Sequence, residues 1–165
     1  MATPGLPSRR ALNLLGFAVC AALLGFALYA QHGLGLEPCP LCIFQRIALM
    51  ALAVVLLVAA LHGPGPTGGR IYGVLAGLCA VGGIAVAGRH VWLQSLPPDR
   101  VPSCGPGLGY LFDTFPLGEA LKMVFSGSGE CAKIDWTFLG LSMPVWVLAW
   151  FVVLGAAAVV NGWRR

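Results

Sequence analysis

Charge is what this chain has least of. Asp, Glu, Lys and Arg together make up 10% of its 165 residues, against about a quarter in ordinary soluble domains. With 58% hydrophobic residues and a mean hydropathy of +0.85, the chain cannot cover a globule with polar side chains. Lipid is the solvent that suits it. The net charge of +4 is scattered, and no basic face interleaved with aromatics exists, which sets nucleic acid aside as a partner. Cofactor signatures are missing as well: there is no C-x-x-C-H for a haem and no G-x-G-x-x-G after a strand.

What is present is a set of four apolar stretches, about 11–30, 43–61, 71–88 and 144–162. Each is close to the ~20 residues a helix needs to cross ~30 Å of hydrocarbon. The third is rich in glycine ("GVLAGLCAVGG"), which weakens a soluble helix but lets membrane helices approach closely. The first follows Arg9 and Arg10 and exceeds the length of a signal-peptide core, so it reads as a retained helix. The expected architecture is an all-α membrane protein. It is a single four-helix bundle over 1–165, with outer loops at about 31–42 and 90–143.

Acidic residues are absent from three segments, and that absence orients the chain. The N-terminal tail, the 62–70 loop and the C-terminal tail hold Arg9, Arg10, Arg70, Arg164 and Arg165. All six acids, Glu37, Asp99, Asp113, Glu119, Glu130 and Asp135, fall in the other two loops. Loops rich in arginine stay cytoplasmic, so both termini are expected inside. Trp92, Trp136 and Trp146 then lie near the outer interface and Trp163 near the inner one, as interfacial tryptophans do.

The six cysteines divide on the same map. Cys20 and Cys79 lie mid-span and read as small hydrophobes. Cys39, Cys42, Cys104 and Cys131 all fall on the outer side, where disulfides persist in a bacterium. A zinc knuckle would want two close pairs. Only Cys39 and Cys42 are close, Cys104 and Cys131 are widely separated, and no histidine of the outer loop completes a set. A staple between Cys104 and Cys131 would restrain their loop, but the tiny ring of a Cys39–Cys42 bridge would stabilise little. A reversible dithiol is the better use of C-x-x-C. Cys42 stands at the start of the second span, where unpaired backbone N–H groups favour a thiolate. Arg46, one turn on, adds a positive charge on the same face. Charge inside a span is costly and usually functional. The electron acceptor must come from outside the chain, and in a membrane bundle a quinone is the obvious one.

The long outer loop has two parts. "SLPPDRVPSCGPGLGYLFD" around Cys104 reads as extended and mobile, suited to a cysteine that another protein must reach. "TFPLGEALKMVFSGSG" reads as a short amphipathic helix, with Thr114 as cap, Pro116 at its start and Gly127 at its end. Leu117, Leu121, Val124 and Phe125 share its apolar face. That face suits the bilayer surface, with packing on the bundle as the alternative.

With these residues in hand, the chain resembles the DsbB family of bacterial inner-membrane thiol:quinone oxidoreductases. The resemblance covers nearly the whole length: four spans, "CPLCIFQR", "RHVWLQ", two loop cysteines and "ECAKIDWTFLGLSMPVW" leading into the last span. It implies that Cys104 and Cys131 take electrons from a reduced, DsbA-like periplasmic thiol oxidase. Cys104 would form the mixed disulfide, and Cys39 and Cys42 would reoxidise the loop pair, through a Cys39–Cys131 or similar exchange. It further implies that Cys42 passes electrons to ubiquinone or menaquinone from the membrane pool. Arg46, His90 and Gln94 match residues of the quinone site. A vitamin K epoxide reductase-like enzyme shares four spans and two cysteine pairs, but there the C-x-x-C follows the loop pair. A disulfide-stapled scaffold without turnover is the non-enzymatic alternative.

Overall fold

A computed structural model describes residues 7–102 and 108–164. Among them, four helices are long and apolar enough to cross a membrane: α1 (Arg9–His32), α2 (Pro40–His62), α3 (Pro66–Gln94) and a last one over Met143–Trp163. Between the third and last spans come α4 (Leu108–Thr114), α5 (Leu117–Ser126), α6 (Gly129–Ala132) and a two-residue hairpin, β1 (Thr137–Phe138) with β2 (Leu141–Ser142). The final span is α7 (Met143–Trp163).

Helix ends explain why the spans outrun the hydropathy windows. The Ser8 hydroxyl caps α1 by accepting from the Ala11 N–H at 3.2 Å. Pro40 and Pro66 sit in the first turns of α2 and α3, where a missing N–H costs nothing. Gly63 closes α2 at φ 56°, a left-handed cap that favours glycine. The third span continues through Arg89 and His90 to Gln94, although hydropathy alone ends it at about 88. His90 is buried, and Arg89 donates to the carbonyls of Phe125 and Ser126 at 3.1 and 2.9 Å. At 29 residues and ~1.5 Å per residue, α3 is about 43 Å long, so part of it projects beyond the hydrocarbon.

Neighbouring spans pack in chain order, α1 on α2 and α2 on α3, and α7 lies most extensively along α3. The mid-bundle core gathers Cys20, Leu49, Leu52, Leu56, Phe151 and Leu154, with Cys79 packed at its edge. Large apolar residues such as Leu61, Leu78, Val81 and Val160 face outward, as a lipid-surrounded bundle requires. The expectation for the glycines is met along the α3–α7 seam: a methyl on Gly83 would run into the Phe151 ring, whereas one on Gly82 meets nothing. Gly83→Leu is therefore expected to destabilise the bundle by about 1–3 kcal/mol through overpacking, and Gly82→Leu to leave it unchanged. Thermal unfolding of both variants in detergent checks this.

The loop differs from expectation in three ways. Residues 108–114 are helical rather than extended: within that stretch Gly109 is the one glycine and there is no proline. Thr114 ends α4 and does not cap α5, for which Pro116 is the flanking residue. Helix α5 is secured to the bundle, because Val124 is buried beside Leu93 and Val86 and Phe125 meets Phe44 at 5.7 Å. Leu117 remains exposed. The α5 helix is amphipathic, yet one residue of its apolar face is a core residue.

Candidate functional site

The C-x-x-C motif builds its own helix start. Cys39 is the N-cap of α2, and its Sγ accepts the Cys42 N–H at 3.3 Å. Capping fixes both side chains on one turn, with the two sulfurs 3.0 Å apart. The C-terminal end of α3 supplies His90, only 3% exposed. Its Nε2 stands 3.8 Å from Cys39 Sγ and its Nδ1 4.0 Å from Cys42 Sγ. Gln45, likewise buried, holds the imidazole through an amide–Nδ1 contact of 2.9 Å. Sequence reasoning passed over Gln45. The available signal was an amide in an apolar span, one turn after Cys42. It also found no histidine for the cysteines, because His90 arrives from a different helix.

Cys131 approaches from the other side. It is fully buried on α6, in one apolar cluster with Cys39, Leu41 and Val124, and its sulfur stands 3.6 Å from the Ser128 hydroxyl. The Cys131 thiol is pushed down to about 5. A hydrogen bond from Cys39 is the chief cause, opposed by burial and aided by the Leu41 and Ser128 backbone. The Cys39 thiol is pushed up, because it donates toward Cys131 and Cys42 and is itself buried. Cys39 is thus linked to both other sulfurs, to Cys42 at 3.0 Å and to Cys131 within their shared apolar cluster. A thiolate at Cys131 adjoins the atom it would attack in a Cys39–Cys42 disulfide, and attack there would expel Cys42. Because the pKa is lowered on folding, the Cys131 thiolate is retained as pH falls from the ordinary thiol range until about 5. The expected result is that the ultraviolet thiolate signal lost in Cys131→Ser, relative to reduced wild type, titrates near that value. In a Cys39→Ala background it should move upward.

Cys104 lies outside the described residues. Arg46 and Gln94 are both placed at the site's edge. Arg46 donates to Gln31 Oε1 and to the Ala27 carbonyl at 3.0 Å, tying α2 to α1. Gln94 accepts from the Ser142 hydroxyl at 2.6 Å and donates to the Lys133 carbonyl at 3.3 Å, joining α3 to the segment after Cys131.

These residues open on a cavity of about 970 Å³. Its polar side carries Cys42, Gln45, Arg46, His90 and Gln94, and its apolar side carries Leu23, Phe26, Leu49, Val147 and Trp150. An aromatic group also lines it. Trp136 stacks on Phe138 at 6.0 Å and meets Phe26 at 5.5 Å, and Trp146 Nε1 donates to the Phe138 carbonyl at 3.1 Å. The hairpin carrying Phe138 turns through Leu139 and Gly140, both at positive φ, as a tight two-residue turn demands. A large apolar chamber with a few polar groups at one end suits a flat ring bearing two carbonyls and a greasy tail.

Similarity to known proteins agrees with this geometry. A family model described as disulfide bond formation protein DsbB matches residues 9–161. The chain is 58% identical over 159 residues to the disulfide bond formation protein B of Methylococcus capsulatus, covering 96% of this chain and 97% of that protein. It is 59% identical over 142 residues to the protein of the same name from Acinetobacter baumannii, covering 84% and 83%. The counterpart in Xanthomonas axonopodis pv. citri is 53% identical over 158 residues, covering 95% and 92%.

Proposed function

Because the chain belongs to the DsbB family of membrane thiol oxidoreductases of disulfide bond formation, we propose that it takes electrons from a reduced, DsbA-like periplasmic oxidase and delivers them to quinone. The observation that carries this reading is that Cys39 and Cys42, 3.0 Å apart, line a large apolar cavity while Cys39 shares a buried cluster with Cys131. The protein acts as one four-helix unit in the bacterial inner membrane, with both termini cytoplasmic and the C-x-x-C end periplasmic.

A partner thiolate attacks Cys104 of a Cys104–Cys131 disulfide, forming a mixed disulfide and releasing Cys131 as thiolate. Cys131 attacks Cys39, forming Cys39–Cys131 and releasing Cys42. The partner's second thiol resolves the mixed disulfide and leaves oxidised. Freed Cys104 then attacks Cys131, restoring the loop pair and leaving Cys39 and Cys42 as a dithiol. Ubiquinone or menaquinone, when bound, accepts two electrons and two protons. Cys42 faces the cavity as the donor sulfur, Cys39 closes the new disulfide on it, and His90 holds or passes the proton beside both sulfurs. Arg46 and Gln94 shape the polar end of the chamber.

The test is direct: purified protein, reduced partner and a soluble quinone, with quinone reduction followed by absorbance. Turnover is expected to vanish in Ser variants of Cys39, Cys42, Cys104 and Cys131, and to survive Cys20→Ala and Cys79→Ala. A stapled scaffold would show no cysteine-dependent turnover. Arg46→Ala removes the tie to α1 and takes a charged group from the chamber wall. It is expected to raise KM for quinone with less effect on kcat, and an unchanged KM would remove that role.

A further inference from the structure

Cys39, Cys42 and His90 place two sulfurs and an imidazole nitrogen within 4.8 Å of one another, a convergence with a second chemical use besides proton handling. We propose that the dithiol form of this site binds one borderline-soft divalent cation of the zinc class, which halts electron flow by occupying both sulfurs. This rests on the reading that Cys39 and Cys42 pass through a dithiol state.

The donor set is the one such ions select: two thiolates and one imidazole, with an open fourth position. Tetrahedral zinc separates two sulfur ligands by roughly 3.8 Å and a sulfur from a nitrogen by roughly 3.5 Å. The observed separations are 3.0 Å between the sulfurs and 3.8 Å from Cys39 to Nε2, and one ligand atom from each of the three residues lies within 4.8 Å of the others. The Cys39–Nε2 separation is within half an ångström of that geometry, and the sulfurs need to part by less than an ångström, which rotation about Cα–Cβ supplies. All three groups border the cavity, so the fourth position has room for water.

The imidazole's other nitrogen also has a partner. A metal-bound imidazole usually donates its other ring N–H to an oxygen. Gln45 stands 2.9 Å from Nδ1. Turning its amide over presents Oε1 to an Nδ1–H and leaves the Nε2 lone pair free for the ion. Cys131 lies outside the three-ligand group, so the loop pair is not consumed. Binding changes no oxidation state. Two thiols release their protons, two metal–sulfur bonds form, and the Cys39–Cys42 disulfide cannot form until the ion leaves.

The experiment uses the full chain in detergent, reduced anaerobically and freed of reductant, with Co²⁺ as the spectroscopic probe. Expected are visible bands of a tetrahedral thiolate–cobalt centre, saturating at one ion per chain and bleached by Zn²⁺. They should be absent from oxidised protein and retained in a Cys104→Ser/Cys131→Ser variant. His90→Ala should weaken binding by about tenfold or more. If thiol titration finds Cys39 and Cys42 reduced and no such bands appear, the metal site is wrong and the oxidoreductase reading stands. Bands that vanish with the loop cysteines, or that ignore His90→Ala, also overturn it. If Cys39 and Cys42 resist reduction altogether, both readings fall.

Discussion

Cys42→Ser is expected to reduce quinone-linked turnover to the background rate while the bundle stays assembled. Serine is close in size to cysteine and sits comfortably in the first turn of a helix, so α2 should form as before. What disappears is the only partner on that turn that can close a disulfide with Cys39, 3.0 Å away. Without it the site has no two-electron oxidised state to regenerate, and residues that act as a unit lose nearly everything when one is removed. Cys39→Ser sharpens the point. Cys39 is the N-cap of α2, and serine is among the better caps. Turnover should be lost with no fall in melting temperature, separating the electron path from the fold. The measurement is quinol formation with reduced partner, beside thermal unfolding of each variant. Substantial cysteine-independent turnover in either would contradict the assignment.

His90→Ala is expected to lower the quinone step by about 10²-fold or more, the scale of a positioned acid–base group. His90 is 3% exposed and in reach of both sulfurs. Oxidising the dithiol releases two protons at that spot, and the imidazole is placed to take one. Exchange between Cys131 and Cys39 involves no quinone and should persist. Rapid mixing separates the two: the mixed-disulfide phase keeps its amplitude, and quinol formation slows. Equal slowing of both phases would make His90 a packing residue instead.

Much of this molecule is legible in its sequence, for reasons that differ by element. The four spans follow from hydropathy, because bilayer thickness imposes a length that the chain must meet. The C-x-x-C and the division of cysteines between spans and loops are visible because sulfur spacing and charge placement are both local signals. The continuation of α3 through His90 is less visible. Its last turns are held by Arg89 reaching the end of α5, a contact across the fold that no window detects. Gln45 is hidden for the same reason, since its partner His90 is 45 positions away. The hairpin at 137–142 leaves only "LG" as a turn signal between very short strands, yet it carries Phe138 to the cavity and Trp136 adjoins it. The placement of α5 on the bundle turns on Val124 in the core and Phe125 against Phe44, and amphipathicity cannot distinguish a lipid surface from a protein one.

The central claim is that Cys39 and Cys42 hand an electron pair to quinone in the adjoining cavity. A single-turnover experiment tests it most directly: fully reduced protein mixed anaerobically with a soluble quinone in the absence of partner, with quinol and thiols counted together. The account predicts that the first quinol formed per chain appears as the Cys39 and Cys42 thiols disappear, with a Cys39–Cys42 disulfide found by mass mapping. Quinol formed while both thiols stay free, or no quinol at all, would contradict it.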